Sequence, residues 1–285
     1  LAECPAASPR LGAVTPADLS RTVLDAVRRA VEADELPAVV PATAGVRVPP
    51  RPGCGDYATN VALRLAKDSG RPAREVAETI GRRLAEEPGI ARVEIAGPGF
   101  LNITLDGPHG ARIVREALAR PGESEPLPLR APDALVRRLG SDAARWSLLC
   151  PPGLDRDLLL VQRESNPLFR VRYAHARCRA LLRNARDLGF GPEAAEVYGE
   201  PDGPLLTVLA DHPRVVAARD PERLARALER LADAFLRWQT SCTPLPRGDE
   251  KPSVVHRARL ALAEATGTVL ADGLHQLGIT APAHL

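Results

Sequence analysis

The sequence predicts a small α+β domain followed by an all-α helical bundle. Three observations carry this. Apolar residues recur at helical spacing through most of the chain, and the runs that read as strands all lie before residue 106. Between these two styles stands a proline cluster, Pro121, Pro126, Pro128 and Pro132, which reads as a linker. The expected boundaries are 14–120 for the first domain, 121–133 for the linker and 134–285 for the second.

In chain order, Thr15 can cap a first helix, with Pro16 at its first position and Asp18 near the positive end of the helix dipole. Leu19, Val23, Leu24, Val27 and Val31 then form its apolar stripe. A short strand is expected at Val46–Val48, helices at Asp56–Lys67 and Pro72–Glu86, and strands at Val93–Ile95 and Phe100–Leu105 around the turn Gly97-Pro98-Gly99. Ala111–Ala119 reads as a closing helix of this domain. In the second domain, helices are expected at Leu168–Leu188, Pro221–Trp238 and Val254–Leu277. Leu224, Leu228, Leu231 and Phe235 stripe the middle one, and 191–204 and 243–252 read as loops. No internal repeat occurs.

Composition narrows the function classes. The 285 residues are 45% hydrophobic and 26% charged, with a net charge of +2, which suits a soluble protein of two domains. No apolar run of membrane-spanning length and no secretory signal occurs, so a cytoplasmic protein with no membrane partner is expected. The chain has no Met, even at position 1, which points to a fragment, a processed product or translation begun upstream, with Val14 as a candidate start. Cys4, Cys54, Cys150, Cys178 and Cys242 are odd in number, widely spaced and without a C-x-x-C pair. Buried thiols are therefore expected, and neither disulfides nor a structural metal. Arginine supplies nearly all the positive charge, since Lys67 and Lys251 are the only lysines. A bias of that kind also follows from a GC-rich genome, so any polyanion argument rests on where the arginines sit.

Two faces look outward. In Phe100–Leu105, alternation sends Leu101, Ile103 and Leu105 to one side and Phe100, Asn102 and Thr104 to the other. An outward aromatic beside an amide can stack on a base and hydrogen-bond its edge; a Phe tucked under a neighbouring helix fits the pattern equally. In the helix 168–188, Val171, Ala174, Cys178, Leu181, Leu182, Ala185 and Leu188 form the apolar stripe. Arg172, Arg179, Arg183 and Arg186 form a second stripe beside it, and Tyr173, Ala180 and Asn184 cluster away from the core. Seven arginines and one acid, Glu164, lie between Arg163 and Arg186. Such a ridge suits a single-stranded loop, with Arg on phosphates, Tyr stacking and Ala leaving room for a base. A merely solvated Arg face is the competing explanation.

Several words in the chain resemble arginyl-tRNA synthetases. Gly55-Asp-Tyr-Ala-Thr-Asn60 with Val61-Ala-Leu-Arg-Leu-Ala-Lys67, and Val93-Glu-Ile-Ala-Gly-Pro-Gly-Phe-Leu-Asn102, look like their N-terminal additional domain. The second half resembles their anticodon-binding domain, named for a D-A-L-R word that stands here as Asp142-Ala-Ala-Arg145. Ser165-Asn-Pro-Leu-Phe169, Tyr173-Ala-His-Ala-Arg177 and the C-terminal Leu277-Gly-Ile-Thr-Ala-Pro282 match in order. The resemblance implies tRNA as partner, with Phe100 and Asn102 on a D-loop base and Tyr173, Ala180 and the terminal Leu285 against the anticodon loop.

The departures shape the expected function. The family carries a class I catalytic domain between these parts, whereas only Asp106–Leu139 joins them here. No H-I-G-H-like word stands in a strand-to-helix context, Gly107-Pro-His109-Gly reads as a turn, and no K-M-S-K-like loop exists. Gly53-Cys-Gly55 with Ala58 follows a proline-rich approach rather than a strand, so it is no dinucleotide fingerprint. His175 belongs to the signature helix and is expected to be packed. No catalytic residue, metal or cofactor is expected. Arg170 and Arg172 stand where the family usually has neutral residues; they add charge, so phosphate binding is expected to survive or strengthen. The D-A-A-R word lacks a Leu, which implies altered packing. The leading expectation is a protein that binds tRNA, that of arginine foremost, without activating arginine, with a salt dependence of about four to six phosphate contacts. Recognition in trans for a separate catalytic protein, and a protein-interaction module with a relic RNA surface, are the alternatives.

Overall fold

A computed structural model describes residues 16–47, 49, 54–106, 110–119, 125–151, 153 and 155–285. The chain divides into two compact units, Leu1–Gly107 and Pro108–Leu285.

The first unit layers three helices on one face of a four-stranded antiparallel sheet. Its elements are α1 (Pro16–Glu32), β1 (Val46–Arg47), β2 (Tyr57–Thr59), α2 (Val61–Ser69), α3 (Ala73–Ala85), β3 (Ile90–Ala96) and β4 (Phe100–Leu105), in the sheet order β1-β2-β4-β3. Period-two alternation buries Leu101, Ile103 and Leu105 of β4 against Leu19, Val23, Val27, Ile80 and Leu84 of the helices. Leu24 and Val31 pack at the edge of this core. The expected helix at Asp56–Lys67 begins later than its residues suggest, because β2 is drawn into the sheet. Tyr57, Ala58 and Thr59 pair with Ile103, Asn102 and Leu101, and the Asp56 carboxylate accepts the Leu105 N–H at 2.8 Å. Strand β1 covers Val46–Arg47; Val14, Thr15, Val48, Gly53 and Gly107–His109 lie outside the described residues.

The second unit is helical throughout: α4 (Gly110–Ala119), α5 (Asp133–Leu139), α6 (Ser141–Ser147), α7 (Pro167–Asp187), α8 (Gly203–Ala210), α9 (His212–Ala217), α10 (Pro221–Ser241) and α11 (Val254–Gln276), with short 3-10 turns at Arg156–Leu160 and Glu200–Asp202. The three long helices carry the core. Leu224, Leu228, Leu231 and Phe235 are buried as the spacing requires. Helices α7 and α11 approach so closely that a Cβ on Gly267 would lie 2.9 Å from that of Cys178. The buried Asp202 carboxylate accepts from Trp238 Nε1 (2.8 Å), Arg259 Nε (3.2 Å) and the Gly199 N–H (2.9 Å), which meets the requirement that a buried charge be paired.

Four further expectations change. Helix α4 does not close the first unit, because Val114 lies in the helical core and the Ala111 N–H donates to Glu196 at 3.2 Å. The expected linker is not free along its described part. Leu127 and Ala131 are buried, the Leu127 N–H donates to the Gln276 carbonyl at 2.8 Å, and α5 starts directly after Pro132. Leu188 is 53% exposed, because α7 ends at Asp187 and Phe190 takes the core position instead. The loop expected to Pro204 ends early, where the turn at Glu200 leads into α8.

Candidate nucleic-acid interface

The outer face of the sheet is set by register. Paired residues on antiparallel strands point the same way, so Arg47, Ala58, Asn102 and Glu94 form one row across all four strands. Phe100 sits at the start of β4 opposite Ala96 and is 42% exposed, not tucked under a helix. Asn102 is half-buried between Ala58 and Glu94. Ala58, the cross-strand neighbour of Asn102, carries only a methyl group, and Arg47 stands exposed at the far end of the row. Arg92 of the next row pairs with Glu94 at 3.2 Å, which offsets that carboxylate. This face can receive a planar ring on Phe100, a base edge on Asn102 and an anion at Arg47.

The second face lies on α7. Asn166 caps the helix by accepting from the Phe169 N–H at 3.1 Å, while its amide donates to the Leu159 and Val161 carbonyls, and Pro167 follows at the first position. Val171, Ala174, Cys178, Leu181 and Ala185 face the core, with Leu182 at its edge. Tyr173 is 38% exposed and lies parallel to Phe169 one turn earlier, with ring centroids 5.7 Å apart. Phe169 thus braces one side of the Tyr173 ring. Ala180 is half-buried, and Asn184, Arg179 and Arg186 are exposed.

The arginines divide into two groups. Arg179 and Arg186 make no hydrogen bond or ion pair among the described residues. Arg172 does not stand in solvent. It pairs with Asp142 and donates to Thr280 Oγ1 (2.6 Å) and the Thr280 carbonyl (3.1 Å). Arg183 donates to the Ala283 carbonyl at 3.3 Å and lies 3.4 Å from His284 Nδ1. Arg170 faces Asp233 (3.3 Å) and Glu229 (3.8 Å) of α10. The expectation that Arg170 and Arg172 add free positive charge is therefore corrected: carboxylates of the same unit already neutralise both.

What these side chains hold is the C-terminal tail. Chain direction changes after α11 at Gly278, whose φ is +68°, a conformation glycine adopts without strain. Ile279 is buried, Arg145 donates to the Gly278 carbonyl at 2.8 Å, and the tail then runs along α7. His175 is buried with Nδ1 2.9 Å from the Pro282 carbonyl, and burial lowers its pKa, so at neutral pH the ring is uncharged and donates through Nδ1. It is packed, as expected, and serves as a tether. Leu285, at the end of the tail, is 53% exposed. In the D-A-A-R word Asp142 and Arg145 face the tail, while Ala144 is fully buried in the core.

Cys178 and Cys242 are buried, Cys54 and Cys150 are half-buried, and all four are free thiols. Burial pushes the Cys150 thiol up to about 11 and Cys178 well above the ordinary value, which makes both poor nucleophiles. Among the described residues no cluster of His, Cys, Asp and Glu is arranged to hold a metal, and no helix is long and apolar enough to cross a membrane. Sequence reasoning missed Arg47, Ala58, Phe169 and the tail clamp. The Phe169–Tyr173 spacing was a readable signal, whereas Arg47 and Ala58 need the strand register.

Comparison with known proteins places both units. The family described as arginyl tRNA synthetase N terminal domain matches residues 17–105, and that described as DALR anticodon binding domain matches residues 171–285. Among solved structures, the arginyl-tRNA synthetase of Thermus thermophilus is similar at 23% identity, with a TM-score of 0.40, over 75% of this chain and 38% of that one. A Campylobacter jejuni protein assigned to the arginyl-tRNA synthetases is similar at 21% identity, with a TM-score of 0.44, over 53% of this chain and 35% of that one. The matched part is thus well under half the length of either.

Proposed function

On the premise that the chain is arginyl-tRNA synthetase-like, joining the N-terminal domain of those enzymes to a DALR anticodon binding domain, we propose that it is a cytoplasmic tRNA-binding protein that does not itself activate arginine. Phe100 and Asn102 receive a D-loop base. Tyr173, Ala180 and Leu285 receive the anticodon loop, and Arg179 and Arg186 hold its phosphates. Arginine tRNA is the preferred partner.

The observation that carries this reading is the α7 face. A braced, half-exposed tyrosine, a small residue one turn-pair later and two unpaired arginines stand beside a tail whose last residue is exposed. That is what a splayed single-stranded loop needs: a stacking platform, room for a base and counter-charge for phosphates. The absence of activation is supported by the stretch between the matched domains. Its described residues form α4, α5, α6 and a 3-10 turn of the helical unit, with no strand among them, and a nucleotide-binding α/β domain needs a parallel sheet. Recognition in trans for a separate catalytic protein is compatible with the same site and would appear as co-purification with an arginine-activating protein.

The double variant Phe100→Ala/Tyr173→Ala tests the proposal by filter binding to arginine tRNA. Each stacking platform is worth about 1–3 kcal/mol, so binding should fall at least tenfold, by roughly the sum of two such losses. Unchanged affinity contradicts the proposal.

A further inference from the structure

The tail from Thr280 to Leu285 has no regular secondary structure, yet its polar groups are met one after another by side chains of the helices. Asp142 Oδ2 is the hub. It accepts from Thr280 Oγ1 at 2.6 Å and from the Thr280 N–H at 3.4 Å, and it pairs with Arg172, which itself donates to the Thr280 carbonyl and hydroxyl. One carboxylate of α6, one guanidinium of α7 and one residue of the tail thus close a compact ring. Further along, His175 and Arg183 take the Pro282 and Ala283 carbonyls.

Core packing alone does not require this. Ile279 already anchors the start of the tail with 1% exposure, whereas Leu285 at its end is 53% exposed. The clamp acts on the part that buries least. Its partners Arg172, Arg183 and His175 share the side of α7 next to Tyr173 and Ala180, as their spacing of three, eight and eleven residues within one helix dictates. An extended tail free to swing would spread Leu285 over many positions, and ordering it at the moment of binding would reduce affinity.

We propose that Asp142 and Arg172 are positioning residues that preset the C-terminal tail, and with it Leu285, beside the Tyr173 face for contact with an RNA loop. Arg172 on this account touches no phosphate. The inference rests on the RNA-binding reading above and adds to it the purpose of the Asp142–Arg172 pair.

The test uses the full chain with Asp142→Asn, Arg172→Ala and Thr280→Val, and the first two of these changes after removal of residues 280–285. Thr280→Val keeps the shape of a surface residue and removes only the hydroxyl, so it guards against a folding defect. Affinity for arginine tRNA is read across a salt series, and tail mobility by backbone order parameters at Ala281, Ala283 and His284. In the full chain each of Asp142→Asn and Arg172→Ala should weaken binding about tenfold, the scale of one charge-assisted hydrogen bond, and Thr280→Val less. The salt slope should stay unchanged, the double variant should be little worse than either single one, and the order parameters of the three tail amides should fall. In the truncated chain neither Asp142→Asn nor Arg172→Ala should matter.

Any of three results overturns the inference: equal losses in the truncated chain, unaltered tail order parameters, or a salt slope that drops by about one for Arg172→Ala, the mark of a direct phosphate contact. If the unaltered chain binds no RNA, the functional reading fails and takes the purpose of the clamp with it. Failure of the inference alone is distinct, since the unaltered chain then binds and only the variants depart from expectation.

Discussion

The outer sheet face of the first unit and the α7 face of the second offer similar groups, an aromatic ring, a small residue and arginines, but they are assembled differently. On the sheet, backbone register does the placing, and side chains such as Arg47 and Phe100 remain exposed. On α7, side chains do the placing, and several arginines are committed before any ligand arrives: Arg170 to α10, Arg172 to Asp142 and the tail, Arg183 to the tail. The lesson is that counting basic residues overstates the charge a face can offer. An arginine that already satisfies a carboxylate gives a phosphate little, because the incoming anion must displace an existing partner.

This contrast can be sharpened by substitution. The largest effect is expected from Tyr173→Ala, which removes a braced platform and should cost about 1–3 kcal/mol of RNA binding; Phe169→Leu should cost less, through a looser Tyr173. Next, Arg179→Ala and Arg186→Ala should each lower the magnitude of the salt slope by about 0.7–0.9, read from affinities at several ionic strengths. Asn102→Ala should cost about 0.5–1.5 kcal/mol, the net worth of one neutral hydrogen bond, and should narrow the preference among D-loop bases. On the same sheet, Arg47→Ala should reduce the salt slope, whereas Arg92→Ala, whose guanidinium faces Glu94, should leave it almost unchanged. An equal response from Arg47 and Arg92 would break the distinction between free and committed charge.

The smallest effect concerns pH. Burial holds the His175 imidazole below its ordinary value of 6.5. Just below pH 6.5 the unfolded chain therefore binds more protons than the folded one, and stability falls as pH drops toward the folded value. His212 is half-buried, and desolvation lowers it too, so it acts in the same direction. Urea midpoints measured between about pH 7 and pH 5 should decline, less steeply for His175→Asn, with His212 leaving a residual slope.

Much of this was legible in the sequence, for physical reasons that differ by region. The stripe of α10 and the alternation of Phe100–Leu105 follow from periods of 3.6 and 2, which a linear reading carries in full. The outward position of Tyr173 follows from the same period, whereas for Phe100 the period gives only the face, and its exposure is seen in the structure. What could not be read depends on partners distant along the chain. Tyr57–Thr59 looks helical on its own and becomes a strand because β4 supplies its hydrogen bonds. Helix α4 is amphipathic wherever it goes, and only packing against α8 and α11 assigns it to the second unit. Arg172 reads as an exposed cation until Asp142, thirty residues away, and Thr280, at the far end of the chain, are seen to meet it.

The most direct test of the central claim is the affinity of the full chain for arginine tRNA and for an unrelated tRNA across a salt series. The committed arginines reduce the expected phosphate contacts from the four to six suggested by sequence to about three or four. The account predicts tighter binding of arginine tRNA, with a slope of that size. Weak binding that ignores tRNA identity would contradict it.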